Sequence, residues 1–223
     1  IAAKMLENMA AAFRNTKGGL SISIIVVGAL LAASTGIVGA TVVTMGLMSL
    51  PILINQGYER NFSAGLVAST GTLGQIIPPS IALVLLGDVM SNAYQRAQNN
   101  MGKFSQETVT VGDLFIGAII PGIMICVGYL IYTIYKNKNN SNIRHGLNEL
   151  SINRIELFKT LALPIGLIFL VLGSIFAGIA TPTEAAAIGA FGALIIALIN
   201  GKINFKFIKE TSEKTAVVST MIF

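Results

Sequence analysis

Apolar residues along this chain fall into blocks set apart by short charged stretches. Charge-free runs cover residues 18–58, 61–87, 114–135, 160–183 and 185–201, and a helix needs about 20 mainly apolar residues to cross a bilayer. The pattern predicts an all-α polytopic membrane protein. The block 114–135, LFIGAIIPGIMICVGYLIYTIY, is a plain span that ends on Tyr132 and Tyr135 and then on Lys136 and Lys138, an interfacial ending.

The loops orient the spans. Residues 136–160 carry five Lys or Arg against two Glu, and residues 202–214 carry four Lys against two Glu, so both belong on the cytoplasmic side. The span 161–179 then runs outward, Ala180 to Thr183 turn outside, and 184–199 returns. Residues 91–112 become an external loop, and 113–201 scaffold-type spans with a cytoplasmic connector at 136–160. Residues 144–160 and 202–214 mix bases with Leu147, Leu150, Ile152, Phe205, Phe207 and Ile208, as interfacial helices do; 202–223 is expected to be a cytoplasmic arm leading into a further membrane element.

This orientation leaves Glu59 and Arg60 inside, where Lys4, Arg14 and Lys17 also belong, so the run 18–58 must enter and return. Residues 20–33 as a helix would rise about 21 Å, short of the roughly 30 Å hydrocarbon core. A re-entrant hairpin over about 18–54 fits, turning at Ser34, Thr35 and Gly36 within ASTGIVGAT. The next block, 63–90, contains STGTLGQIIPPS, where Gly71, Gly74, Pro78 and Pro79 interrupt the helix. Irregular backbone at membrane depth is tolerated only against protein or a watery cavity. The hairpin turn and the break should therefore meet, offering half-helix ends, carbonyls and the hydroxyls of Ser34, Thr35, Ser69, Thr70 and Thr72 to an ion. The competing explanation for each small residue is close helix packing.

Composition agrees with a bilayer protein: 53% of residues are hydrophobic and 11% charged, and the mean hydropathy is +0.75. The net charge of +5 sits in the gaps between apolar runs, which follows the positive-inside bias and not a nucleic-acid surface. Cys126 is single and lies in an apolar run, and His145 stands in the polar stretch KNKNNSNIRHG with no metal-ligand cluster around it. The chain opens on Ile1 and stops in an apolar run at Met221 to Phe223. It is expected to be a piece of a longer polypeptide.

ASTGIVGATVVTMGLMSLP, GTLGQIIPPSIALVLLGD and GIATPTEAAAIGAFGALIIAL, in that order, resemble the large membrane subunit of tripartite ATP-independent periplasmic (TRAP) transporters, the DctM-like permease. The resemblance implies an elevator-type secondary transporter with inverted repeats, a re-entrant helical hairpin and a discontinuous transmembrane helix. It implies Na⁺ as coupling ion with no other cofactor, a bacterial inner-membrane location, and an organic acid as substrate. It also implies two partners, a small DctQ-like membrane subunit and a periplasmic DctP-like substrate-binding protein. Carried onto this chain, residues 1–90 are the first-repeat part of the transport domain. Ser34, Thr35, Gly36, Gly71, Thr72 and Gly74 match the sodium site, and Ser34, Pro78, Pro79 and Ser80 are the substrate-site candidates.

Two carboxylates lie against the apolar blocks. Glu184 in Thr181-Pro182-Thr183-Glu184 reads as a helix start, with a cation or proton role as the alternative. Asp88 ends an outward span, at either an interface or a site. An enzyme would need a nucleophile beside a base or paired acids near a metal, and the residues do not supply such a set. A channel or a structural membrane subunit without ion coupling is the other reading.

Overall fold

The computed structural model describes residues 2–13, 16, 18–102, 108–138, 154–201 and 203–222; His145 and most of the connector 136–160 lie outside them. Among the described residues the chain is helical, with α1 (Ala2–Ala12), α2 (Gly19–Thr35), α3 (Val38–Asn55), α4 (Arg60–Thr72), a 3-10 turn (Leu73–Gln75), α5 (Ile81–Asn100), α6 (Val111–Asn137), α7 (Arg154–Phe176), α8 (Pro182–Ile199) and α9 (Phe205–Ile222). Two of these, α6 and α8, are long and apolar enough to cross a membrane, and shorter apolar stretches cover Gly19–Leu31, Thr41–Asn55 and Leu161–Phe176.

The middle of the fold is α2. It is apolar on every side, and such a helix must be buried; Leu20 to Ile25 and Val27 are all inside. It packs against α1, α3, α4, the 3-10 turn, α6 and α7. Its inward Ser21 and Ser23 satisfy their hydroxyls on the preceding turn, at Gly18 O (2.7 Å) and Gly19 O (2.8 Å), so burial leaves no donor bare.

Helices α2 and α3 form a helical hairpin. They are separated by Gly36 and Ile37, and Gly36 has φ +62°, a left-handed conformation that glycine adopts without steric penalty. The two far ends come back together, because Tyr58, just after α3, is buried and hydrogen-bonds Ser21 at the start of α2. Burial pushes the Tyr58 phenol above its ordinary pKa, and the bonds to Ser21 oppose the shift. Asn137, the last residue of α6, joins this base: its Nδ2 donates to Ser21 Oγ (3.3 Å) and to Thr133 O (2.9 Å).

Three boundaries differ from expectation. Residues 91–100, expected as external loop, continue α5 as helix, since Ala93, Gln95, Arg96 and Ala97 are good helix formers whatever their polarity. Helix α7 begins at Arg154, so the last part of the expected connector is continuous with the helix of the apolar stretch Leu161–Phe176. Gly71 and Thr72 belong to α4, so the interruption starts at Leu73.

Candidate functional site

Four helix ends converge where the hairpin turn meets the interruption between α4 and α5. Helix α4 runs into the 3-10 turn, followed by Ile76 to Ser80 without regular structure and with a cis peptide between Pro78 and Pro79. Two prolines remove two backbone donors, so the helix cannot pass through. Ser80 restarts it as N-cap of α5: its Oγ accepts from Leu83 N (3.4 Å) and donates to Gln75 O (2.9 Å).

The turn and the interruption touch. A methyl on Gly36 would lie 3.4 Å from Pro79 O and 3.6 Å from Ile81 Cγ1, so the turn sits directly on the proline pair. Gln75 Nε2 donates to Gly36 O at 3.0 Å, and Gln75 Oε1 accepts from Ala82 N at 3.3 Å. C-terminal ends of α2 and of the α4 segment, which carry partial negative charge, lie beside the N-terminal ends of α3 and α5, which carry partial positive charge. Ile37 caps α3 without a side-chain hydrogen bond of its own.

The candidates take different places. Gly36, Gly74, Pro78, Pro79 and Ser80 are at the junction, with Gly36, Gly74, Pro78 and Ser80 buried; the side chains of Ser34 and Thr35 lie outside the described residues. Gly71 has a packing reason of its own, since any Cβ there would overlap Val42 of α3. Gly28 is its counterpart on α2, against Thr70. Thr72 is exposed and donates to Ser69 O (2.7 Å), leaving its oxygen lone pairs free to accept. The hydroxyls of Ser69 and Thr70 are turned back on Leu66 O, at 3.1 and 2.6 Å.

Both carboxylates are elsewhere. Glu184 closes a capping box with Thr181, accepting from its N–H (2.8 Å) and its hydroxyl (2.9 Å), the helix-start geometry expected of Thr-Pro-Thr-Glu. Asp88 is exposed on α5, and its carbonyl accepts from Asn92 Nδ2. Sequence reasoning missed Gln75. Its signal was present, because Gln75 is the single amide side chain from Phe62 to Gly87.

Comparison with known proteins fits this architecture. The family model of the tripartite ATP-independent periplasmic transporter DctM component matches residues 1–223. The chain is 34% identical over 199 residues to the C4-dicarboxylate TRAP transporter large permease protein DctM of Rhodobacter capsulatus, covering 89% of this chain and 44% of that one. It is 33% identical to the isethionate TRAP transporter permease protein DctMQ of Oleidesulfovibrio alaskensis, over 80% of this chain and 26% of the relative. It is 28% identical to the ectoine TRAP transporter large permease protein TeaC of Halomonas elongata, over 99% of this chain and 48% of the relative. The chain thus spans less than half the length of these relatives. A match along its whole length, carried by helices fit for a membrane, places the chain in the DctM family of TRAP transporter large permeases.

Proposed function

We propose that this chain is part of the large permease subunit of a TRAP transporter in a bacterial inner membrane, which takes up an organic acid in symport with Na⁺. The observation that carries the reading is the junction itself: the hairpin turn at Gly36 held at 3.0 Å on Gln75 of an interrupted helix. Paired broken helices at one point supply carbonyls and oriented dipoles for a hard cation and an anion. In this reading the α2–α3 hairpin is re-entrant, and Na⁺ is held by oxygens of Ser34, Thr35, Gly36, Gly71, Thr72 and Gly74. The acid lies by Ser34, Pro78, Pro79 and Ser80, near the amides that open α3. Residues 1–90 would ride in an elevator-type transport domain whose inverted counterpart belongs to the rest of the polypeptide.

The relatives' names range over C4-dicarboxylate, isethionate and ectoine, which supports a small polar acid or zwitterion and leaves its identity to the delivering protein. A DctP-like binding protein and a DctQ-like small subunit are the partners. The test is uptake by the full-length subunit with those partners in proteoliposomes over a series of Na⁺ concentrations. Thr72→Val keeps the shape and removes one oxygen; its loss should raise the half-saturating Na⁺ concentration roughly tenfold to a hundredfold with assembly unchanged. Uptake independent of Na⁺ would favour a channel or an uncoupled subunit.

A further inference from the structure

We infer that Gln75 is a positioning residue: its side-chain amide clamps the hairpin turn to the first turn of α5, one end of the amide serving each. Chemistry forces its orientation. Gly36 O can only accept, so the NH₂ end must face it; Ala82 N–H can only donate, so the oxygen must face that side. Ser80 Oγ is 3.4 Å from the same oxygen, but its hydrogen goes to the nearer Gln75 O. The contact with Gly36 spans 39 residues of sequence and fixes a carbonyl at the tip of the hairpin.

A neutral residue with a donor at one end and an acceptor at the other suits this place. The 3-10 turn packs against α2, α3, α4 and α5. Helices α2 and α3 carry no ionisable side chain; α4 carries Arg60 at its first residue, and α5 carries Asp88, Tyr94 and Arg96, all remote from the turn along their helices. A charge at position 75 would find no partner on these elements, whereas the amide completes both sides.

The two ends can be separated. Gln75→Met fills the same space with neither donor nor acceptor. Gln75→Glu, studied at a pH high enough to ionise it, keeps an acceptor for Ala82 N–H and offers Gly36 O no donor. Hydrogen exchange of the full-length subunit, measured without Na⁺ or substrate, reads both ends through peptides covering residues 33–42 and 80–86. Gln75→Met should speed exchange in both, by about tenfold, whereas Gln75→Glu should speed it in 33–42 alone. Unchanged exchange in both variants would reduce Gln75 to a filler, and equal loss in both peptides of both variants would make it a general stabiliser; either overturns the clamp. The consequence for transport rests on the junction being the ion site: both variants should raise the half-saturating Na⁺ concentration. Because exchange is read without ions, uptake that proves Na⁺-independent while the split exchange persists removes the coupling and keeps the clamp.

Discussion

The junction formed by α2 to α5 and the pair α7–α8 are built from the same apolar alphabet to opposite ends. Helix α2 is inside along most of its length, with Ser21 and Ser23 bonded internally. Helix α8 buries Ala185 alone, while Phe191 is 68% and Leu198 65% exposed. One region spends its glycines on contacts: Gly28 on Thr70, Gly71 on Val42, Gly36 on Pro79. The other has such contacts too, Gly189 on Val171 and Gly192 on Leu167, while Gly166 and Gly173 of α7, like Gly39 and Gly65 of the first region, have open space around them. The first region is a protein interior that contains broken helices; the second is an unbroken pair whose outer surface suits lipid. Interruption is affordable only where protein supplies the missing backbone partners.

The comparison can be broken most directly by truncation. Ile24→Ala, at a fully buried site on α2, should cost about 2 to 5 kcal/mol of unfolding free energy in detergent, and Phe191→Ala should leave the unfolding midpoint nearly unchanged. A large loss at Phe191 would mean that the rest of the polypeptide covers α8. Glycine sharpens the contrast by reversing sign. Gly71→Ala drives a methyl into Val42 and should destabilise by about 1 to 3 kcal/mol, whereas Gly173→Ala should stabilise by roughly 0.5 to 1 kcal/mol, both read from the same melts. The smallest effect compares the two helix starts. Ser80→Ala and Thr181→Ala each remove an N-cap and should each lose about 1 kcal/mol. Only Ser80→Ala should also shift the Na⁺ dependence of uptake, and a shift from Thr181→Ala would put Glu184 and its cap into the ion pathway.

How far the sequence led depended on whether the signal was local. The turn at Gly36 was legible because small residues in a long apolar run, with basic flanks on both sides, leave few other folds. The interruption was legible from Pro78 and Pro79, since proline acts through its own backbone. Its start was misjudged, because Gly71 and Thr72 are not compelled to break a helix and the contact with Val42 keeps them in one. Residues 91–100 misled in the other direction: polarity was taken for irregularity, while local propensity continued the helix. Gln75 and Asn137 were missed because their partners lie 39 and 116 residues away, and no local pattern encodes such a meeting. The sequence places 113–201 together as scaffold-type segments, yet α6 is bonded to the base of the hairpin through Asn137 and Ser21.

That last bond has a kinematic meaning. A buried polar knot of Ser21, Tyr58 and Asn137 ties the foot of the hairpin to the end of α6. Gly18 enforces the fit, since a methyl there would press on Asn137 Cβ at 3.1 Å. In the elevator proposed above, a displacement of the hairpin would carry α6 with it. The surface left to slip in that elevator would be where α7 lies against α1 and α2, which is made of side chains such as Met5, Met9 and Val27, with Leu161 packed against them. Methionine's unbranched, soft side chain re-packs with little penalty. Under the same proposal, the polar knot would travel with the hairpin and the methionine-lined contacts would face the track.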